Sequence, residues 1–98
     1  MLTKNNVENI ISKTLKRELQ WIKSENLDCF DCQTEDYGVI VCRFKDKGEA
    51  AISVYFTDDW GNIYAEKEFK RSVEDATFFD KLSQFYDVIE KDAVIEYI

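Results

Sequence analysis

Apolar residues follow helical spacing near the start of the chain, alternate through its middle, and return to helical spacing near its end. Val7, Ile10, Ile11, Leu15, Leu19 and Ile22 recur at three- and four-residue intervals, which predicts an amphipathic helix running to about Lys23. Asn5 followed by Glu8 resembles a capping box, with Thr3 as a competing N-cap. Lys13, Lys16 and Arg17 fall on the opposite, wet side, and Trp21 flanks the apolar stripe.

Leu27 to Thr34 alternates as a first strand, with Phe30 and Cys32 on one face and Cys29, Asp31 and Gln33 on the other. Between Gly38 and Arg71 the alternation predicts three more strands, Val39–Lys45, Ala50–Thr57 and Ile63–Lys70. The links are short: Glu35-Asp36-Tyr37-Gly38, Asp46-Lys47-Gly48 and Asp58-Asp59-Trp60-Gly61-Asn62, all rich in turn-forming residues. Links of this length force neighbouring strands to be antiparallel, because a parallel pair needs a long crossover.

Ser72 with Asp75 reads as a second N-terminal capping signal. Phe78, Phe79, Leu82, Phe85, Tyr86 and Ile89 then predict a second amphipathic helix to about Lys91. Residues 93–98 alternate Val94, Glu96, Ile98; of a fifth strand and a continuation of the helix, the short strand is the preferred reading. The expected fold is a single α+β domain over residues 1–98. It is a four-stranded antiparallel β-meander with an N-terminal and a C-terminal helix on one face (α-β-β-β-β-α), with the short C-terminal strand as an addition. Phe30, Cys32, Ile40, Cys42, Phe44, Ile52, Val54, Phe56, Ile63, Ala65 and Phe69 are expected under the helices. Tyr55, Tyr64, Glu66, Glu68, Arg43 and Asp31 are expected on the open face.

Composition supports one domain with a real core: 98 residues, 45% of them hydrophobic, including seven Phe, five Tyr and two Trp. Thirteen basic against twenty acidic residues leave a net charge of −7. That field repels nucleic-acid phosphates, so direct nucleic-acid binding is not expected and a basic protein partner is. The charge is uneven. The first helix is mildly basic, whereas residues 24–42 carry Glu25, Asp28, Asp31, Glu35 and Asp36 with no base. No apolar run suits a signal segment or a membrane span, and three cysteines are an odd number, so a cytoplasmic protein with reduced thiols is expected.

Candidate chemistry is sparse. His, the commonest general base and metal ligand, is absent from the sequence. Cys29-Phe30-Asp31-Cys32 has C-x-x-C spacing but falls within a strand, away from the helix N-terminus that activates a redox thiol. With Cys42 it offers three zinc ligands and no histidine for the fourth, so ordinary core or edge cysteines are expected. Asp58-Asp59-Trp60-Gly61-Asn62 lacks the alternating acids and flanking helices of a calcium loop. Two readings of Trp60 stand: a ring folded over the sheet edge, or an exposed aromatic anchor at a loop tip. Glu66 and Glu68 share a strand face, yet no apolar surroundings are expected to raise a carboxyl pKa there. The acids around the second helix, from Glu74 to Asp92, read as a solvated face or as a strip that occupies a basic groove.

No catalytic residues, cofactor or metal are expected. In size and charge the chain is similar to small acidic inhibitors, among them phage anti-defence proteins of the anti-CRISPR kind that mimic nucleic acid, and immunity proteins that neutralise nuclease toxins. Similarity of class alone implies a stoichiometric inhibitor of a basic, nucleic-acid-processing protein. Tyr55, Trp60 and Tyr64 would be its anchors, and Asp58, Asp59, Glu66 and Glu68 its complementary charge. The alternative is a self-associating structural module, a homodimer burying Tyr55, Val39 and Val41.

Overall fold

Apolar alternation in the middle of the chain and two apolar helical stripes leave one way to bury both, with the helices laid on one face of a sheet. The computed structural model, which describes residues 3–25 and 28–94, has this arrangement. The elements run α1 (Lys4–Leu15), β1 (Trp21–Lys23), β2 (Cys29–Gln33), β3 (Gly38–Asp46), β4 (Glu49–Thr57), β5 (Ile63–Lys70) and α2 (Ala76–Asp92). The strands form one five-stranded antiparallel meander in the order β1-β2-β3-β4-β5. The fold class is therefore as expected, with one strand more than the expected four.

The additional strand comes from what reads as the end of the first helix. α1 stops at Leu15 because Arg17 takes a left-handed conformation, φ 59°. The amides of Arg17 and Glu18 then return to the carbonyls of Thr14 and Lys13, at 3.0 and 2.9 Å. This is the double-bonded helix stop in which glycine is usual and an arginine is not. Trp21–Lys23, no longer helical, pairs with β2. Leu15, expected in the stripe, is 57% exposed, and Thr14 is buried in its place. The caps differ also: Thr3 rather than Asn5 opens α1, exchanging hydrogen bonds with Asn6, and Asp75 rather than Ser72 opens α2. Val94 bridges Ile22 in parallel fashion, beginning where the C-terminal strand is expected; residues 95–98, and Leu27 at the start of the first expected strand, lie outside the described residues.

Thr14 also ties α1 to β1. Its hydroxyl donates to the Ile10 carbonyl at 2.8 Å and accepts from the Trp21 indole Nε1 at 3.0 Å, all of it buried. Trp21 in turn meets Phe85 of α2 edge-on, with centroids 5.8 Å apart. Thr14→Val keeps the shape and leaves the indole N–H without an acceptor, at an expected cost of about 1–3 kcal/mol. Thr14→Ser, which retains the hydroxyl, should lose less. Urea denaturation of the two variants checks this, and equal losses would mean that the methyl group, not the hydroxyl, matters.

The core faces are legible in the register. Val39 pairs with Phe56, Val41 with Val54 and with Phe30, and Ile52 with Phe69. All are buried beneath Val7, Ile10 and Ile11 of α1 and the expected stripe of α2, Phe78 to Ile89. On β4 the expected inward set, Ile52, Val54 and Phe56, is the observed one. On β3 the expectation is inverted: Val39 and Val41 are buried, while Ile40 and Cys42 are half-buried and Phe44 is 37% exposed on the open face. Ile63 is likewise exposed, not buried. Arg43, expected on the open face, lies on the helix side. There it pairs with Asp87 at 3.2 Å and Glu90 at 3.6 Å and stacks over the Tyr86 ring at 4.3 Å. Tyr86 is fully buried, donates its hydroxyl to the Asp28 carbonyl at 2.7 Å, and has its pKa pushed up to about 12 by burial.

Candidate functional site

The β4–β5 loop carries Trp60, the most exposed of the large hydrophobic side chains among the described residues. Asp58 closes β4, and its carboxylate Oδ1 accepts from the amides of Trp60 and Asn62, each at 2.9 Å. The Asp58 amide donates to the Asn62 carbonyl and the Gly61 amide to the Asp58 carbonyl, at 2.9 and 3.1 Å. Gly61 supplies the positive φ, 82°, that the turn needs. The Asn62 amide above all, with that of Trp60, holds the Asp58 carboxyl below its ordinary range. Asp58 is thus the internal brace of the loop, not free charge for a partner. Asp59 and Trp60 form the exposed tip. Trp60 is 88% exposed, so of the two readings the folded-back ring is excluded.

Tyr64 departs from its expected place. The β4–β5 register shifts between Phe56 and Thr57, so that Phe56 pairs with Ala65 and Thr57 with Ile63, leaving Tyr64 as the extra residue. A bulge of this kind re-aims the side chain. Tyr64 meets Phe56 edge-on with centroids 6.4 Å apart, and Phe56 stacks on Tyr37 at 4.5 Å. This aromatic row belongs to the helix-side edge, with Tyr64 still 58% exposed. Tyr55, Glu66 and Glu68 do come together on the open face: Glu66 is opposite Tyr55 and Glu68 opposite Ser53, around a shallow hollow of about 370 Å³. Glu68 lies 3.8 Å from Lys70, which pairs with Asp46 at 2.6 Å. The expected site therefore divides into a loop tip (Asp59, Trp60), an edge aromatic (Tyr64) and a face patch (Tyr55, Glu66, Glu68), with Asp58 as support.

The cysteines correct the expectation of three reduced thiols. Cys29 and Cys42 are directly opposite across β2 and β3, Cα atoms 4.2 Å apart, and are joined by a disulfide on the open face. The Arg43 amide donates to the Asp28 carbonyl just beyond them, at 3.1 Å, so they occupy the closely spaced, non-hydrogen-bonded type of pair. Cys32 points the other way, into the core, where burial raises its thiol to about 11 and makes it inert. The C-x-x-C spacing thus brings no two thiols together. Among the described residues no group of three His, Cys, Asp or Glu side chains is placed to hold a metal.

Sequence reasoning missed a second feature of the open face. A groove of about 340 Å³ crosses the sheet from β1 to the β4–β5 loop, lined by Ile22, Asp31, Gly38, Ile40, Thr57 and Gly61 among others. Its far end is thus the loop that carries Trp60. It needs β1, which reads as helix in the sequence. Comparison with protein families, with curated proteins and with solved structures finds no match for this chain.

Proposed function

We propose that the chain works by stoichiometric contact with a basic protein, as a small acidic inhibitor of a nucleic-acid-processing enzyme of the anti-defence or nuclease-immunity type. The observation that carries this reading is Trp60: a large aromatic held out in water on a loop braced by four hydrogen bonds among its own residues. Leaving such a ring exposed has no benefit to the fold, whereas aromatics in this setting are the usual anchors of interfaces. The bracing supports the same reading, since an ordered loop loses little freedom on binding. The net charge of −7 supplies the preference for a basic partner and the steering of its approach. Tyr55, Glu66 and Glu68 extend the contact across the open face. Catalysis has no part in this proposal, nor has direct binding of nucleic acid.

The test is capture of partners from a nuclease-rich bacterial lysate on the tagged protein, followed by affinity measurements on the retained protein at rising salt. One basic protein whose affinity falls at least tenfold from about 50 to about 300 mM salt is the expected result, because exposed charges attract over a distance that salt shortens. Affinity unchanged over that range overturns the electrostatic basis.

A second reading, self-association, draws on the apolar part of the open face. Val39 and Val41, expected in such an interface, are buried in the core and cannot serve it. Ile40, Phe44 and Tyr55 would take their place. Light scattering at micromolar concentration separates the readings, since this one requires a dimer.

A further inference from the structure

Asp31 lies mid-strand on β2, directly between Ile22 of β1 and Ile40 of β3 in the register of the sheet. The three side chains share the open face and line the groove that ends at Gly61. Its floor is low because Gly38 has no side chain and the neighbouring Thr57 is small and buried. Among the described residues nothing hydrogen-bonds or ion-pairs with the Asp31 carboxylate. Lys23 is the cation that influences it, but the Lys23 ammonium donates to the carbonyls of Ser24 and Cys29, at 2.9 and 3.3 Å, and lies 5.3 Å from the centre of the Phe30 ring. Asp31 is itself exposed, and the desolvation it feels on the sheet face raises its pKa, with Lys23 opposing.

A carboxylate flanked by two branched aliphatic side chains, in a groove of this size, is complementary to a group that is apolar along its length and cationic at its end. We propose that this groove receives an arginine side chain of the partner protein, its aliphatic stem against Ile22 and Ile40 and its guanidinium forked on the Asp31 carboxylate. Arginine suits the site better than lysine. Its planar fork matches both carboxylate oxygens, and it is the more weakly hydrated cation, so less is lost when the groove closes over it. The groove begins beside the Trp60 loop, so one partner surface can engage both. This inference rests on the protein-contact reading above and specifies what the partner presents there.

The experiment is a titration of the ¹⁵N-labelled chain with a capped Ala-Arg-Ala peptide, and with its citrulline and lysine counterparts, followed by amide shifts. Saturable shifts centred on Ile22, Asp31, Gly38 and Ile40 are expected with the arginine peptide. Binding at least tenfold weaker is expected with citrulline, which keeps the shape and loses the charge, and in Asp31→Asn. Shifts scattered over Glu66, Glu68 and the acids of α2, or equal binding of the citrulline peptide to the unaltered chain, would overturn the groove assignment. Equal binding of the lysine peptide would overturn the choice of arginine. The two proposals fail separately. A groove that takes the arginine peptide in a chain that binds no basic protein removes the inhibitor reading alone. A basic partner held with unchanged affinity by Asp31→Asn removes the groove alone.

Discussion

Gly38→Val should destabilise the fold by about 3 kcal/mol or more, the upper part of what overpacking a close-packed site costs. Gly38 opens β3 and is paired on both sides, with Gln33 of β2 and Thr57 of β4. Its backbone is not in the left-handed region, so space and not conformation is at stake. A Cβ at this position would collide with the Thr57 hydroxyl and come within 3.2 Å of Gln33 Oε1. Thr57 is itself buried, on a strand hydrogen-bonded on both sides, and has little room to withdraw. Gly38→Ala should cost about 1–3 kcal/mol for the same reason. In a domain of this size each kcal/mol lowers the melting temperature by about 4–8 °C, so thermal scans resolve the series. The decisive control is Gly38→Ala combined with Thr57→Ala, which removes the colliding oxygen. The pair should lose less than the sum of the single variants. Strict additivity would mean that glycine is needed here for some reason other than Thr57.

Gly38 also illustrates what the sequence leaves open. At the end of Glu35-Asp36-Tyr37-Gly38 it reads as a turn residue, and nothing local reveals that two strands crowd it. β3 is the central strand, and both of its alternating sets are apolar at the start: Val39 and Val41 against Ile40, Cys42 and Phe44. Binary patterning needs one polar face to fix the other, and this strand does not supply it. Arg43 and Lys45 in the valine set suggest the wet side. Arg43 nevertheless faces α2, because Asp87, Glu90 and the Tyr86 ring receive it, and those residues are more than forty positions away. The disulfide was hidden by the same inversion, which put Cys42 with Cys32 and opposite to Cys29. Where the opposing set is the more polar, reading succeeds: the stripe of α2 and the inward set of β4 are as the spacing implies, although Ala51, Ser53 and Thr57 of the opposing set on β4 are buried as well. The end of α1 is illegible for another reason. A helix stop built on Arg17 has no glycine or proline to announce it, so the apolar spacing through Leu19 and Ile22 mimics a longer helix. The groove beside Asp31 depends on that stop, since its wall at Ile22 exists only when residues 21–23 form a strand.

Of the contact residues legible in sequence, Trp60 is the one whose removal should be felt most. Trp60→Ala is expected to weaken partner binding by about 2 kcal/mol or more, roughly a thirtyfold rise in Kd. The fold should not register the change, because an 88% exposed ring contributes almost no burial to the native state. The loop should not register it either. The Trp60 amide, which Asp58 holds, belongs to the backbone and survives the substitution. Loss of affinity in a chain of unchanged melting temperature is therefore a measure of the ring alone. Trp60→Phe should recover part of it, as a smaller aromatic in the same position. The companion Asp59→Asn separates charge from contact: a rim carboxylate changes mainly the rate of association and its salt dependence, whereas a buried anchor changes the rate of dissociation. Kinetics on a sensor surface with the captured partner read both. Faster dissociation in Trp60→Ala with slower association in Asp59→Asn is the expected division. A Trp60→Ala affinity within about 1 kcal/mol of the unaltered chain would take the loop tip out of the interface and move the contact to the open face, where Tyr55 and Glu66 sit opposite one another.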